Sequence, residues 1–415
     1  MHFIPIINIL IILVLCYILF IKILDNKNLF KISIGFSLFY FILTLIIYFN
    51  NLSHGFDSGI LYGNIANAHF CDEFRYFEDS KILYSHFIND GFKPWFNRSL
   101  PPWEFIDIDG HPGFGNYNIF VVFLSLLRLI GFKTVLDFIT LKLIFYPISI
   151  FFLYKLFKIY LDEKYSLISL IIFSILPGYI LNNTLLMRDN IILFLVIVCF
   201  YIIFSQNLNL KYKTIALIPL LLCLLIFRAY LAPIFIATII FCYKNSKKIF
   251  SFRDGLFFIV IIFTLVFFTT FKFNNGELMI FGGFSDEQIR ILQEEFTIRY
   301  GSGLMTPLKV FYLTLLHIFY VPPFLNFWST NIIYLILFSM GNIFSVVTSL
   351  FFIPSYFYLA IKNRNENIIY LLKFTFYFTF LCGLILVSKD GFIITRLSLM
   401  WTPLFFIIIT KIFSR

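Results

Sequence analysis

Residues 3–24 read FIPIINILIILVLCYILFIKIL, and this stretch decides the class of the protein. A helix of this length, rising about 1.5 Å per residue, can cross the roughly 30 Å hydrocarbon core of a bilayer. The stretch is too long for the core of a signal peptide, and it lacks a basic start and a small-residue cleavage site. We therefore expect it to be retained as a membrane span.

Apolar blocks of similar length recur along the 415-residue chain, which is 60% hydrophobic and only 13% charged. Soluble domains are about 45–50% apolar and about 25% charged. These blocks predict an all-α polytopic membrane protein with about 11–13 transmembrane helices. The expected apolar segments are 3–24, 30–50, 116–132, 136–160, 165–184, 187–205, 214–227, 229–243, 254–271, 307–321, 330–361, 368–387 and 398–412.

The net charge of +10 does not indicate a nucleic-acid partner, because the basic residues lie mostly in short connections such as 244–248 and 362–364. Cytoplasmic loops of membrane proteins carry such an excess. Lys22, Lys27 and Lys31 place the first connection in the cytoplasm and hence the N-terminus outside. Three polar regions are then predicted to face outside: 51–115, 272–306 and 388–397.

The predicted organisation has five parts. Residues 1–50 form two spans, 51–115 an external loop with interfacial helices, 116–271 a transmembrane core, 272–306 a second external loop, and 307–415 a C-terminal transmembrane region. One segment within 116–160 is expected to dip into the membrane or lie at its interface. Residues 214–243 are expected to form a tight hairpin with Arg228 near its tip.

The first external loop contains the sequence Asp72-Glu73-Phe74-Arg75-Tyr76. If it is helical, Asp72, Tyr76 and Asp79 share one face. A carboxylate held above the membrane can act as a general base towards a sugar hydroxyl. Alternatively, this is a solvated acidic helix start. A divalent metal bound by His69 with Asp72 or Glu73 is possible, but the spacing is not diagnostic.

A second motif, Asn182-Asn183-Thr184 followed by Arg188-Asp189, is typical of a helix start. Asn or Thr would cap the helix, and Asp189 would be favoured by the helix dipole. The dipole disfavours Arg188 at that end, so this arginine calls for an anion.

Arg228 lies within an apolar stretch, where ionisable residues are costly and suggest function. It could bind a phosphate through two parallel hydrogen bonds. The alternative is an ion pair with Asp189 or with a carboxylate of the loop. Several cations are predicted on the outer face, against the usual trend, and together they indicate a substrate anion or the acidic loop: Arg188, Arg228, Arg299, Lys389 and Arg396.

The order of these features resembles the GT-C superfamily of membrane glycosyltransferases, in layout most like its protein O-mannosyltransferase and aminoarabinose-transferase branch. The matching pieces are Asp72-Glu73 with Tyr76, His111-Pro112-Gly113-Phe114-Gly115, Pro177, Leu186-Met187-Arg188-Asp189, Phe227-Arg228, and Arg396 before Trp401-Thr402-Pro403. The chain departs from the family in having two spans before the acidic motif, and in His111-Pro112-Gly113 where Lys-Pro-Pro or His-Pro-Pro is expected.

The resemblance implies a GT-C-like fold and an enzyme that takes a sugar from a polyprenyl phosphate or diphosphate outside the cytoplasm. The acceptor would be a glycan or a lipid-linked molecule, and the setting the bacterial inner membrane during synthesis of O-antigen, capsule or lipopolysaccharide. Asp72 or Glu73 would be the catalytic carboxylate, and Arg188, Arg228 and Arg396 would bind the lipid phosphate. Further candidates for substrate binding are Tyr76, His111, Asp189, Arg299 and Lys389.

Two other functions remain open from the sequence. A Wzy-type polymerase would transfer a whole growing glycan between lipid carriers. A flippase or transporter of lipid-linked sugars belongs to a different class, in which internal repeats and short external loops are common. The sequence has no evident repeat, and it has a loop of about 65 residues, which is long for a connection without a function.

Overall fold

The structure is a computed structural model that describes residues 3–60, 72–101, 104–105, 117–242, 298, 305–319, 331–362, 365–390 and 395–414. In these ranges all regular secondary structure is helical. The prediction of an all-α membrane protein is confirmed at that level.

The helices are numbered in chain order. In the N-terminal half they are α1 (Ile4–Tyr17, continued by a π-helical turn over Ile18–Ile23), α2 (Lys27–Ser53), α3 (Asp72–Asn89), α4 (Lys93–Phe96), α5 (Ile119–Leu129), α6 (Val135–Lys142), α7 (Phe145–Tyr160), α8 (Glu163–Ile175), α9 (Pro177–Thr184) and α10 (Asp189–Phe204). They are followed by α11 (Leu210–Phe227), α12 (Leu231–Cys242), α13 (Met305–Phe319), α14 (Ile333–Lys362), α15 (Glu366–Asp390), α16 (Thr395–Ser398) and α17 (Thr402–Phe413).

Six helical stretches of the described chain are long and apolar enough to cross a membrane: Ile4–Ile23, Lys27–Ser53, Val135–Tyr160, Leu210–Phe227, Ile333–Lys362 and Glu366–Val387. The bent pair α8 and α9 would make a seventh. The segment predicted over 254–271 lies outside the described residues. The total of about 11–13 spans and their orientation in the bilayer therefore remain predictions.

Short polar side chains start several of the helices. Asn26 accepts a hydrogen bond from the Leu29 amide at 2.9 Å, and Asp162 accepts one from Tyr165 at the same distance. Thr134 and Asp137 form a reciprocal capping box at the start of α6. Each satisfies amides that the first helical turn leaves without an internal partner.

Helix α5 has 11 residues and spans about 16 Å at the usual helical rise, which is too short to cross a bilayer. Helices α6 and α7 together form the span Val135–Tyr160. The prediction that one segment within 116–160 does not cross the membrane thus agrees with the length of α5.

The apolar segment predicted over 165–184 is one stretch of sequence but two helices, because α8 and α9 meet at a bend of 64°. Pro177 opens α9 and has no amide hydrogen, so it cannot continue the hydrogen bonding of α8. The carbonyl of Ser174 near the bend accepts a hydrogen bond from the Tyr40 hydroxyl at 2.5 Å. The rings of Tyr146 and Tyr179 pack edge-on against the Tyr40 ring. The break is thus satisfied inside the protein, as non-helical backbone within a membrane must be.

The chain divides into two compact units. The first holds α1 to α11 and the start of α14, and in it α3 packs on α5 and α10 packs on α7. The second holds α12, α13, the rest of α14, and α15 to α17, and in it α15 packs on α12 and α13. The five-part organisation predicted from the sequence follows span boundaries, whereas these units follow packing.

The last turn of α3 carries a histidine between two carboxylates. His86 Nδ1 lies 2.8 Å from Asp90 Oδ2, and its Nε2 lies 2.6 Å from Glu104 Oε2. Phe105 stacks on the imidazole ring. These contacts attach residues 104–105 to α3. Burial lowers the pKa of His86, but the hydrogen bonds and negative charges of Asp90 and Glu104 outweigh it, so the pKa is raised from 6.5.

Replacement of His86 by alanine is expected to lower the apparent Tm at pH 6, and this difference should shrink as the pH rises to about 9. The reason is linkage. A pKa raised on folding contributes stability that is complete below the unfolded value of about 6.5 and is lost as the pH rises through the folded value. Thermal unfolding of purified protein across this pH range measures the effect.

The control for this change is His54→Ala, since the His54 ring contacts the Asn50 carbonyl at 2.8 Å and no carboxylate among the described residues. Its effect on the Tm should not depend on pH in the same way. A His86→Ala difference that stays constant or grows between pH 6 and about 9 would contradict the role assigned to the two carboxylates.

Candidate functional site

The candidate catalytic carboxylates Asp72 and Glu73 form the first turn of α3. The helix expected from this part of the sequence is confirmed. Asp72 is half-buried, while Tyr76 and Asp79, on the same face one and two turns later, are buried. The Tyr76 ring packs edge-on against Phe120 of α5, 5.1 Å between centroids. The packing of α3 on α5 therefore sets the position of the acidic turn.

Glu73 reaches from α3 to the link between α9 and α10. Its side chain is 4% exposed, and its Oε1 accepts a hydrogen bond from the backbone amide of Leu186. A buried carboxylate is costly unless it is hydrogen-bonded. Glu73 thus holds in place a backbone amide that lies 113 residues further along the chain.

Lys142, at the end of α6, binds the same link and was not among the residues predicted from the sequence. Its ammonium group donates to the carbonyls of Asn182 at 2.9 Å, Leu185, and Met187 at 2.8 Å. The signal was present, because a lysine inside the apolar segment 136–160 is an intramembrane charge, which by default suggests a function.

Asp189 and Arg228 form an ion pair, with Nη2 of the arginine 2.9 Å from Oδ1 of the aspartate. The side chains are 1% and 12% exposed, respectively. Asp189 starts α10 and Arg228 ends α11, so each charge also lies at the helix end whose dipole favours it. The ion-pair alternative for Arg228 is confirmed. The hairpin tip predicted near Arg228 is a link between α11 and α12.

The N-cap of α10 is Arg188, and its side chain makes no capping hydrogen bond. The expectation that Asn or Thr caps this helix is wrong. Asn183 and Thr184 belong to α9, where they bond back to the carbonyls of Tyr179 and Ile180. The physical reason is the link at 185–188, which separates these residues from the start of α10.

The Arg188 guanidinium lies 5.9 Å from the centre of the Tyr76 ring. Its Nε is buried and has no hydrogen-bond partner among the described residues. A buried donor of this kind is costly unless something binds it. The guanidinium presents the planar donors that suit a phosphate or carboxylate. Tyr76 is one turn after Asp72 on α3, so this contact brings the cation to the helix that carries the acidic turn.

The remaining predicted residues fall into two groups. Arg299 and His111 lie outside the described residues, as does His69 of the possible metal site. Lys389 is in the last turn of α15 and Arg396 in α16, both within the second unit, and their side chains lie outside the described part. Among the residues that the structure describes, no three His, Cys, Asp or Glu side chains are grouped to hold a metal ion.

No family model, curated protein or solved structure matches this chain. The site described above therefore rests on its own geometry: the carboxylates at the start of α3, the Arg188 guanidinium near Tyr76, and the link before α10 that both Glu73 and Lys142 bind.

Proposed function

We propose that this protein is a membrane glycosyltransferase that takes a sugar from a polyprenyl phosphate or diphosphate and transfers it to a surface glycan or its lipid-linked precursor. The observation that carries the proposal is Arg188. Its Nε is buried without a hydrogen-bond partner among the described residues, and its guanidinium lies near Tyr76 on the helix that begins with the acidic turn. A phosphate donor and a hydroxyl acceptor together need these two charges in one place.

The contacts suggest different roles for the two carboxylates. Glu73 is buried and bonded to the Leu186 amide, so it acts as a positioning residue. Asp72 is half-buried on the same turn and is the better candidate for the general base. These contacts therefore favour Asp72 over Glu73 as the proposed general base, a choice that the sequence left open.

In the proposed reaction Asp72 removes the proton of the acceptor hydroxyl as its oxygen attacks the anomeric carbon. The bond from that carbon to the phosphate oxygen breaks, and the electron pair leaves with the polyprenyl phosphate or diphosphate. Arg188 offsets the negative charge that grows on the leaving phosphate, which is the usual work of a fixed cation in a site shielded from water. The polyprenyl chains of the donor and of the departing carrier stay in the membrane, in which the apolar helices of the protein also lie.

The test is a transfer assay with the full chain in lipid nanodiscs. Sugars linked to polyprenyl phosphate and to polyprenyl diphosphate are offered separately, with glycan lipids from a deletion strain as acceptors, and labelled product is followed. If the protein consumes neither donor, the proposed function is wrong. A gel of surface polysaccharide from the same strain adds a second readout: a retained ladder of altered composition fits a transferase, and a single capped repeat unit fits a polymerase.

Asp72→Asn is expected to lower turnover by about 10²–10⁴-fold, the usual contribution of a general base. Glu73→Gln should cost much less, under about tenfold, because the amide oxygen can still accept the Leu186 hydrogen bond. The nanodisc assay measures both, with apparent Tm as the check on folding.

The two variants serve as controls for one another, since they change neighbouring carboxylates in the same way. If both leave glycan structure and amount untouched, neither carboxylate is catalytic. A larger loss of turnover for Glu73→Gln than for Asp72→Asn, at equal Tm, would reverse the two roles.

A further inference from the structure

We infer that Lys142 is a positioning residue, whose ammonium group, together with Glu73, clamps the link at 185–188 and so fixes Arg188. Lys142 and Glu73 come from different helices, α6 and α3, and approach the link with opposite charges. The clamp is inferred from hydrogen bonds in the structure. Its role in placing Arg188 for a substrate phosphate rests on the proposed function.

The ammonium group of Lys142 has three hydrogens and no acceptor. The structure matches them with three backbone carbonyls, those of Asn182, Leu185 and Met187. Lys142 is 3% exposed, so water cannot take the place of these partners. A buried lysine that is not fully bonded would be too costly to keep. Its three donors are used by one carbonyl of α9 and two of the link, and none remains for a substrate.

The carbonyls that Lys142 binds need a partner as much as the lysine does. Helix α9 ends at Thr184, and its last carbonyls have no amide of their own helix to bind. One cation at the C-terminal end of α9 satisfies the Asn182 carbonyl and two of the link, and the dipole of the helix favours a positive charge there.

Glu73 completes the clamp through the amide of Leu186, which lies between the two link carbonyls held by Lys142. In addition, Asn190 donates to the Lys142 carbonyl at 3.2 Å, which ties the first turn of α10 to the end of α6.

Arg188 is the last residue of this link and the N-cap of α10. Its buried Nε has no hydrogen-bond partner among the described residues, and its guanidinium lies over the Tyr76 ring. Its place is therefore set by the backbone before it. Lys142 acts on substrate only through that backbone and is a positioning residue, not a catalytic one.

Hydrogen exchange of the full chain in nanodiscs, resolved to single amides, tests the clamp without any assay of activity. In the unmodified protein we expect the Leu186 amide to exchange about 100-fold or more slowly than the amides of Gln206 and Asn207, which lie in an exposed link. Equal rates at these positions would overturn the inference before any variant is made.

Lys142→Met is expected to speed exchange at Leu186 by about tenfold or more, with the change confined to residues 182–190. The matched control is Lys155→Met, which changes a lysine of the same span whose ammonium lies over the Phe151 ring at 4.3 Å. The control should leave Leu186 unchanged. Unchanged exchange at Leu186 in a folded Lys142→Met protein would refute the clamp.

If Lys142→Met does not yield folded protein, the clamp is tested with Lys142→Arg instead. Its planar fork keeps the charge but cannot present three hydrogens to three carbonyls around one nitrogen. Faster exchange limited to 182–190 supports the inference, and exchange equal to the unmodified protein overturns it.

The nanodisc transfer assay then separates positioning from mere stability. Lys142→Met should raise KM for the polyprenyl-phosphate sugar by about tenfold or more, with a smaller fall in kcat, because a displaced Arg188 loses the phosphate. A lower Tm with KM unchanged would leave Lys142 a structural residue only and would overturn its positioning role. If the unmodified protein transfers no sugar, the proposed function fails, while the exchange measurement still judges the clamp.

Discussion

Replacing Arg228 by methionine is expected to lower the free energy of unfolding by about 3–5 kcal/mol, the cost of breaking a buried ion pair from one side. Asp189, 1% exposed, would lose the arginine that lies 2.9 Å from it. Since burial makes a charge expensive once its partner is gone, the loss should greatly exceed that of any surface pair. Denaturant titration of the detergent-solubilised protein, followed by intrinsic fluorescence, measures it.

The matched control is Lys81→Met. Lys81 pairs with Glu78 at 2.6 Å, but the two side chains are 43% and 28% exposed. An exposed pair contributes less than about 1 kcal/mol. A second change, Asp189→Leu in the Arg228→Met background, should restore part of the lost stability, because the buried charge is then removed too. An Arg228→Met loss no larger than that of Lys81→Met would show that the ion pair is not stabilising in the way its burial implies.

Arg188→Gln is expected to lower kcat/KM by about 10²–10³-fold in the nanodisc assay, the usual cost of losing one donor to a developing anion. Gln removes the charge but keeps a polar side chain of similar reach. The Tm should change little, because the buried Nε of Arg188 has no hydrogen-bond partner among the described residues.

Arg98→Gln is the control for this change. Arg98 also lies over a tyrosine ring, 5.5 Å from that of Tyr117, but it is exposed. Loss of a cation–aromatic contact alone would affect both variants alike. We expect activity to fall only for Arg188→Gln, and equal activity in the two variants would remove Arg188 from the site.

The helices of this protein could be predicted from its sequence because a bilayer imposes a simple rule, a run of about 20 apolar residues for each span. The segments 3–24 and 30–50 correspond to α1 and α2. The acidic turn at Asp72 and the charges at Arg188 and Arg228 were also recognisable, since ionisable groups in or beside apolar segments are rare enough to be noticed.

The hydrogen-bond partners of these side chains could not be predicted in the same way, because they come from distant parts of the chain. Nothing near Lys142 in the sequence shows that its three partners lie at least 40 residues away. The bend at Pro177 likewise separates two helices that the apolar pattern joins. The assignment of Asn or Thr as the cap of α10 failed for this reason, since local capping preferences cannot reveal where a preceding helix ends.

The bonding of Lys142 also has a consequence for biosynthesis. The most distant carbonyl that it binds, that of Met187, is made 45 residues after the lysine itself. At about 5–20 residues per second, the ribosome needs about 2–9 s to supply it. The span Val135–Tyr160 therefore reaches the membrane before its ammonium group has these ligands. Lys142 is near the first third of this 26-residue stretch, and inserting a lysine into a span costs up to about 2.5–3.5 kcal/mol, the value at the helix centre on translocon scales. We expect the nascent chain to carry that cost until α9 and the link that follows it have also entered the membrane.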